Sequence, residues 1–258
     1  MHETQRDRAI LRVLAERDVV SVHVLTEQLG ISEATIRRDL KRLSDAGRLQ
    51  RVRGGARTIE RPTLIGQPLF GSDREQNTEA KRAIAQLAVS LCEPGDAVIL
   101  DGGTTVFAMT EFLTGLGLQV LTPSLPVAQA LSVSTNARIL VPGGEFFREQ
   151  QTIASPYTQP MVRSFSARRM FLSAQAVSRH GLLQTDSLLV RSQLEMIDRA
   201  EELVALVDSS KFERKGNLVA SPLEELDVLI SDPGLSLPDR RMLADAGVRV
   251  LIADPRKP

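Results

Sequence analysis

Between Ile31 and Arg57 the chain reads ISEATIRRDLKRLSDAGRLQRVRGGAR. Its order of helix signal, stop and alternating basic strand restricts the fold more than any other stretch. From Glu33 to Asp45 the apolar residues Ile36, Leu40 and Leu43 recur at a spacing that places them on one helical face. Thr35, Arg37, Arg38, Lys41 and Arg42 take other positions, and Ser32 stands where an N-cap hydroxyl satisfies a free backbone N–H. Gly47 stops the helix. Leu49-Gln50-Arg51-Val52-Arg53 then alternates with period two before Gly54-Gly55, which predicts a two-stranded wing with a glycine tip. Upstream, Ser21 to Gly30 puts Val22, Leu25 and Leu29 on one face and ends in Gly30, so the expected unit is helix, tight turn, second helix and wing.

Eight Lys/Arg face three Asp/Glu between Ser32 and Arg57, a net +5. A charge run is most often a solvated face, and Asp39 can pair with Arg42 one turn on. Here the charge continues from helix into wing, the layout that suits a duplex whose phosphates flank the groove. Double-stranded DNA is the expected partner. Its expected contacts are Ser32, Thr35, Arg37, Arg38, Lys41 and Arg42 on the helix, with Arg51, Arg53 and Arg57 in the wing. The chain has no Trp and one Tyr, which removes the base-stacking platforms of single-strand and RNA binders.

The formal net charge of the 258 residues is zero, and this hides an asymmetry. Residues 1–61 hold 13 Lys/Arg and 9 Asp/Glu, a net +4, which leaves −4 for the remainder. The length suits two domains: a winged helix-turn-helix domain over 1–60, whose first helix is Arg6 to Arg17, then a linker over 61–76 and a second domain over 77–258. The linker carries Pro62, Gly66, Pro68 and Gly71. Cys92 stands alone, so neither a disulfide framework nor a thiolate metal cluster is expected. His2, His23 and His180 are scattered without metal-ligand spacing, and no metal or cofactor is expected. The polar start and the lack of an apolar run of membrane-spanning length point to a cytoplasmic protein with no membrane partner.

From Asn77 onward apolar strand candidates alternate with helices, the pattern of an α/β domain with a largely parallel sheet. The strands are expected at residues 97–100, 118–121, 138–141, 170–172, 203–207, 228–230 and 248–252. Ligands of such sheets sit beyond the carboxyl ends of the strands. After Ile99-Leu100 comes Asp101-Gly102-Gly103-Thr104-Thr105, where glycines let backbone N–H groups approach an anion and threonines add hydroxyls. After Val141 comes Pro142-Gly143-Gly144, with Arg148 nearby; after Val207 comes Asp208-Ser209-Ser210-Lys211, with one cation. Gly-Gly-Thr-Thr alone is equally a tight strand-to-helix turn. Three polar loops at strand ends predict a phosphate pocket.

These residues also resemble a known family. Thr35-Ile36-Arg37-Arg38-Asp39-Leu40, followed by Gly47, Leu49, Arg51 and Gly54-Gly55-Ala56, resembles the signature of the DeoR family of bacterial winged-helix transcriptional regulators. Arg53 stands where that family usually has histidine. Leu100 to Thr105, Gly143-Gly144 and Asp208 to Phe212 resemble its effector domain, so the likeness covers nearly the whole chain. It implies a Rossmann-like domain similar to ribose phosphate isomerases, a phosphorylated sugar or sugar acid as effector, and Ser124, Asp186 and Ser210 among the effector contacts. Two departures alter the sugar contacts. Thr122-Pro123-Ser124 replaces the common Thr-Asn-Ser, and Asp186-Ser187-Leu188-Leu189 lacks the usual pair of glutamates.

Arg169 to Leu189, Leu125-Pro126 and Leu206 to Asn217 resemble the branch regulating L-ascorbate utilisation, which implies phosphorylated ascorbate as effector. The resemblance thus implies a repressor of a carbohydrate-utilisation operon. Palindromic or repeated operator sites call for a homo-oligomer, a dimer or tetramer, formed through the second domain. An activator, a sugar phosphate isomerase and an architectural DNA-binding protein are the alternatives. An isomerase needs a base, for which Asp101, Asp186 and Asp208 are the candidates. The missing glutamates argue against turnover, and no enzymatic activity is expected.

Overall fold

The computed structural model describes residues 6, 7, 9, 10, 13, 14, 19–45, 49–52, 54–57, 76–148, 150–155, 157 and 159–255. By its contacts the chain divides into two compact units, Met1–Ile65 and Gly66–Pro258. The expected linker falls almost wholly outside the described residues, as do Gly47, Arg48 and Arg53.

In the first unit Val19–Ser21 (β1) leads into helix α1 (Val22–Leu29), capped by the Ser21 hydroxyl, which accepts from Val24 N–H. Helix α2 (Glu33–Asp45) follows, then strands β2 (Gln50–Val52) and β3 (Gly55–Arg57). The three strands form an antiparallel sheet in the order β1-β3-β2, so Val19–Ser21 extends the wing. Ile36, Leu40 and Leu43 of α2 are buried with Leu25, Leu49 and Ala56, and with Ile10 and Leu14 from the first helical stretch. The apolar spacing of α2 therefore records the face turned to this core.

In the second unit the apolar runs carry buried side chains on both faces. Val98, Leu100, Val120, Phe171 and Val204 join one core layer, and the alternate residues Ile99, Leu121, Met170, Leu172 and Ala205 join another. Two buried faces are what a parallel sheet covered by helices demands. Seven strands form it: β4 (Ala97–Leu100), β5 (Gln119–Leu121), β6 (Arg138–Leu140), β9 (Ala167–Leu172), β12 (Ala200–Leu206), β14 (Val228–Ser231) and β15 (Arg249–Ile252). Every pairing is parallel and the spatial order is β15-β14-β12-β9-β4-β5-β6. The chain runs outward from β4 to β6, then returns to the other side of β4 to lay down β9. The direction of winding thus reverses between β4 and β9, where a doubly wound sheet opens a crevice.

Helices α3 (Thr78–Val89), α4 (Thr104–Ala108), α5 (Leu125–Ser134), α6 (Pro160–Arg163), α7 (Ser187–Ile197) and α8 (Leu237–Asp245) make the connections. Residues 145–147 and 152–154 pair as an antiparallel hairpin, β7 and β8, and residues 176–178, 181–184 and 218–221 (β10, β11, β13) make a small antiparallel sheet. These five short strands escape a reading by period, since three or four residues carry no repeat that separates a strand from a turn.

Candidate functional site

Two regions bring candidate residues together, one in each unit. On α2 the helical repeat of about 100° per residue places Arg38 and Lys41 opposite the buried Ile36, Leu40 and Leu43. Both side chains are exposed, as is Arg51 on β2, and among the described residues none of the three has an ion-pair partner. Arg37 is exposed beside Glu33, with Nη2 donating to Oε2 at 3.1 Å. The Ser32 and Thr35 hydroxyls bond each other at 2.9 Å, and the Ser32 carbonyl accepts from the N–H groups of Thr35 and Ile36. Arg57 Nε donates across the wing to Gln50 Oε1 at 2.7 Å.

Arg42 behaves differently from its expected place among the outward contacts. Its guanidinium donates to both carboxylate oxygens of Asp7 and, at 3.2 Å, to Asp39 Oδ1. Asp39 also accepts from Arg6 Nε at 2.8 Å. Burial raises the Asp39 pKa, but the hydrogen bonds and charges of Arg6 and Arg42 outweigh it and hold this carboxyl below its ordinary range. The Asp39–Arg42 pair is thus part of an internal brace between the first helical stretch and α2, and Arg42 belongs to that brace.

The second region lies at the reversal between β4 and β9. There a cleft of about 110 Å³ is lined by Asp101 to Thr105 after β4, Ser173 to Gln175 after β9, and one face of α7. Lys211 also lines it, from the turn Ser209–Phe212 after β12, and is almost fully buried. The glycines are required here. Gly103 has φ +131°, and a Cβ at that position would stand 1.9 Å from Ser173 Oγ. Ser173 Oγ in turn donates to the Gly102 carbonyl at 2.9 Å, so the loops after β4 and β9 are stitched together.

Asp101 is 4% exposed and accepts from Gln193 Nε2 at 2.6 Å. Burial pushes its carboxyl up to about 6, against the opposing pull of the Gln193 amide and backbone donors at Gly102 and Ser173. A carboxyl poised near neutrality in a crevice is a common mark of a functional position.

Of the residues expected at the pocket, Asp101, Gly102, Gly103, Thr104, Thr105 and Lys211 line the cleft together. The others do not. Ser124 is fully buried and its hydroxyl caps α5, accepting from Val127 N–H. Asp186 caps α7 through Oδ1, which accepts from the N–H groups of Leu188 and Leu189. Ser210 donates to Asp208 Oδ1, which also accepts from Asn77 Nδ2 at 2.8 Å, and it lies on a separate surface hollow. Gly143 borders a smaller adjoining cavity, Gly144 packs against the Ala154 carbonyl where a Cβ would stand at 2.4 Å, and Arg148 is exposed. Short polar residues at strand ends serve as caps as readily as ligand contacts, so type and position alone do not separate the two roles.

Leu189, Ser192, Gln193 and Met196 of α7 also line the cleft. Their spacing of three, four and seven residues is a helical face, and the polar pair Ser192-Gln193 inside that buried stripe is the signal that marks them. Pro123, Gln150, Thr152, Ser173 and Gln184 complete the wall. Cys92 stays apart from it, its thiol pushed up to about 12 by burial. Among the described residues no group of three His, Cys, Asp or Glu is placed to hold a metal ion. Nor is any described helix long and apolar enough to cross a membrane.

Comparison with known proteins finds a family match in each unit. Residues 6–62 match the family described as DeoR-like helix-turn-helix domain, and residues 76–233 match DeoR C terminal sensor domain. The HTH-type transcriptional regulator UlaR of Shigella dysenteriae serotype 1 is 32% identical over 254 residues, covering 97% of this chain and 99% of that protein. UlaR of Salmonella arizonae is 33% identical over the same span. Among solved structures, ribose 5-phosphate isomerase A from Methanocaldococcus jannaschii has a TM-score of 0.38 at 17% identity, covering 53% of this chain and 55% of that one. With both domains matched and the relatives spanned from end to end, the chain belongs to the DeoR family of DNA-binding transcriptional regulators.

Proposed function

We propose that this protein represses a carbohydrate-utilisation operon and leaves its operator when a phosphorylated sugar or sugar acid fills the cleft between β4 and β9. One observation carries the reading. The cleft combines a nearly buried cation, Lys211, with glycine backbone and the threonines Thr104 and Thr105, a set suited to a phosphate. The head carries a cationic surface of its own, with exposed Arg38 and Lys41 on α2 for the major groove and Arg51 on the wing for the flanking backbone. The likeness to relatives named UlaR favours L-ascorbate 6-phosphate as effector. The protein acts in the cytoplasm as a homo-oligomer, because a two-fold operator presents two half-sites to two heads.

The cleft binds without turnover. Of the three carboxylates an isomerase would draw on, Asp186 and Asp208 are occupied in capping, and Asp101 already holds Gln193. Fluorescence anisotropy on the chain's own upstream DNA tests the reading, with ascorbate 6-phosphate and other sugar phosphates titrated beside their unphosphorylated parents. Release by phosphorylated compounds alone, lost in Lys211→Ala while DNA binding persists, is the expected result. Turnover of a sugar phosphate, or release by the unphosphorylated parents equally, overturns it. Lower operon transcription on deletion of the gene would establish an activator instead.

A further inference from the structure

Helix α7 brings one side chain to the cleft whose hydrogen bonding is half complete. Gln193 is 5% exposed and its Nε2 donates to Asp101 Oδ2. Its Oε1 is buried and has no hydrogen-bond partner among the described residues. Native proteins rarely leave a buried amide oxygen in this state, and such an atom asks for an explanation. The direction of the amide is not arbitrary. An ionised carboxylate accepts only, so Asp101 keeps the nitrogen of Gln193 toward itself and turns the oxygen away. Asp101 is held in turn by backbone donors at Gly102 and Ser173.

The polar side chains that line the cleft are of two kinds. Lys211, Thr104 and Thr105 offer donors to an anion, whereas the Asp101–Gln193 pair offers acceptors. Among the described lining residues Asp101 and Lys211 are the charged side chains. A ligand that satisfies both kinds carries an anionic group and a hydroxyl donor.

We propose that Gln193 is a specificity-determining residue that accepts a hydrogen bond through Oε1 from a hydroxyl of the bound ligand, with Asp101 as the positioning residue that fixes the amide's direction. The inference rests on the reading of the cleft as a phosphorylated-sugar site and adds a ligand hydroxyl to what the cleft reads. A deoxygenated ligand leaves Oε1 unpaired and binds more weakly by the worth of one neutral hydrogen bond, roughly three- to tenfold. A second carboxylate placed there meets Asp101 and is rejected.

The experiment uses the full chain, wild type and Gln193→Met, an unbranched replacement of similar reach that lacks the amide acceptor, with Gln193→Leu as a second variant; circular dichroism checks that each folds. Calorimetric affinities are measured for ascorbate 6-phosphate, ribose 5-phosphate and glucose 6-phosphate and for their singly deoxygenated analogues. The expected result is that wild type prefers a hydroxylated ligand over one of its deoxy analogues by roughly three- to tenfold, and that both variants lose this preference while still requiring the phosphate. If the preference is the same in wild type and variants, Gln193 does not read the hydroxyl and this inference fails while the site stands. If no phosphorylated compound binds wild type, the reading of the site fails and takes the inference with it.

Discussion

Each unit of the chain buries an aspartate at nearly the same depth, Asp39 at 2% and Asp101 at 4% exposure, and the two are pushed in opposite directions. Around Asp39 burial is outweighed by Arg6 and Arg42, which hold the carboxyl ionised well into acid. Around Asp101 burial dominates, because its partners are the neutral Gln193 amide and backbone donors, and the carboxyl rises to about 6. The depth is shared and the company differs. A buried carboxylate ringed by arginines is part of the frame, and one left with neutral donors beside a cleft is a place prepared for something else.

The largest expected effect comes from removing the frame's carboxylate. Asp39→Asn removes the carboxylate that Arg6 and Arg42 share, while Arg42 keeps Asp7, and breaking a buried ion pair costs about 3–5 kcal/mol. Arg42 is 39% exposed along its side chain and can rehydrate, which lowers the expectation to roughly 3 kcal/mol. Denaturant unfolding at pH 7 checks this, and operator affinity should fall with it. Because the folded pKa of Asp39 is lowered, its contribution is present above the ordinary carboxylate range and is lost as pH falls through the folded value. A variant as stable as wild type at pH 7 would erase the contrast.

Asp101 predicts the reverse sign. Its pKa rises from 3.8 to about 6, so its contribution to stability is fully present below 3.8 and is lost as pH climbs through 6. At 1.36 kcal/mol per unit that loss is about 3 kcal/mol by pH 7.5. Asp101→Asn removes the buried charge but weakens the bonds to it, so a net gain of about 2 kcal/mol is expected at that pH, shrinking towards pH 4. Unfolding of the variant and wild type at both pH values measures the difference. Effector binding should suffer as stability improves, since an asparagine can turn its own amide and no longer fixes Gln193.

Within the head, Arg38→Ala should weaken operator binding about tenfold, or 1.4 kcal/mol, with little change in stability, since this side chain is exposed and outside the brace. Arg42→Ala should show the other signature, with stability lost first and DNA binding following it. Equal patterns for the two arginines would mean that α2 does not divide its cations in this way.

The parts of the molecule that local pattern can express were legible. The face of α2, the order of apolar runs and the loop from Asp101 to Thr105 all follow from spacing and strand-end position. What was not legible is the company residues keep across long separations. Gln193 stands 92 residues from Asp101, Arg6 stands 33 from Asp39, and Arg42 stands 35 from Asp7. No period in the sequence relates them; only the return of the chain beside β4 and the packing of the first helical stretch on α2 do so. Ser124, Asp186 and Ser210 teach a related point, for the chemistry that suits a sugar hydroxyl equally suits a free backbone N–H or a neighbouring carboxylate.

The smallest effect gives the finest test of the division between head and sensor. Arg37–Glu33 in the head and Arg82–Glu111 in the second unit are both 3.1 Å apart, with side-chain exposures of 57% and 52% in the first and 58% and 52% in the second. As exposed ion pairs they are near twins, and each is worth about 0.3 kcal/mol to stability. Arg82 also sits 4.9 Å from the centre of the Phe112 ring, which adds about 0.5 kcal/mol at such a site. Arg82→Ala should therefore destabilise slightly more than Arg37→Ala. On DNA the order reverses. Arg37 can leave Glu33 for a phosphate, so its removal should lower the slope of log affinity against log salt by about one, while Arg82→Ala leaves the slope unchanged. Operator titrations at several salt concentrations decide this, and equal slopes for the two variants would place Arg37 among the solvated charges of its helix and leave Arg38 and Lys41 as its DNA-facing cations.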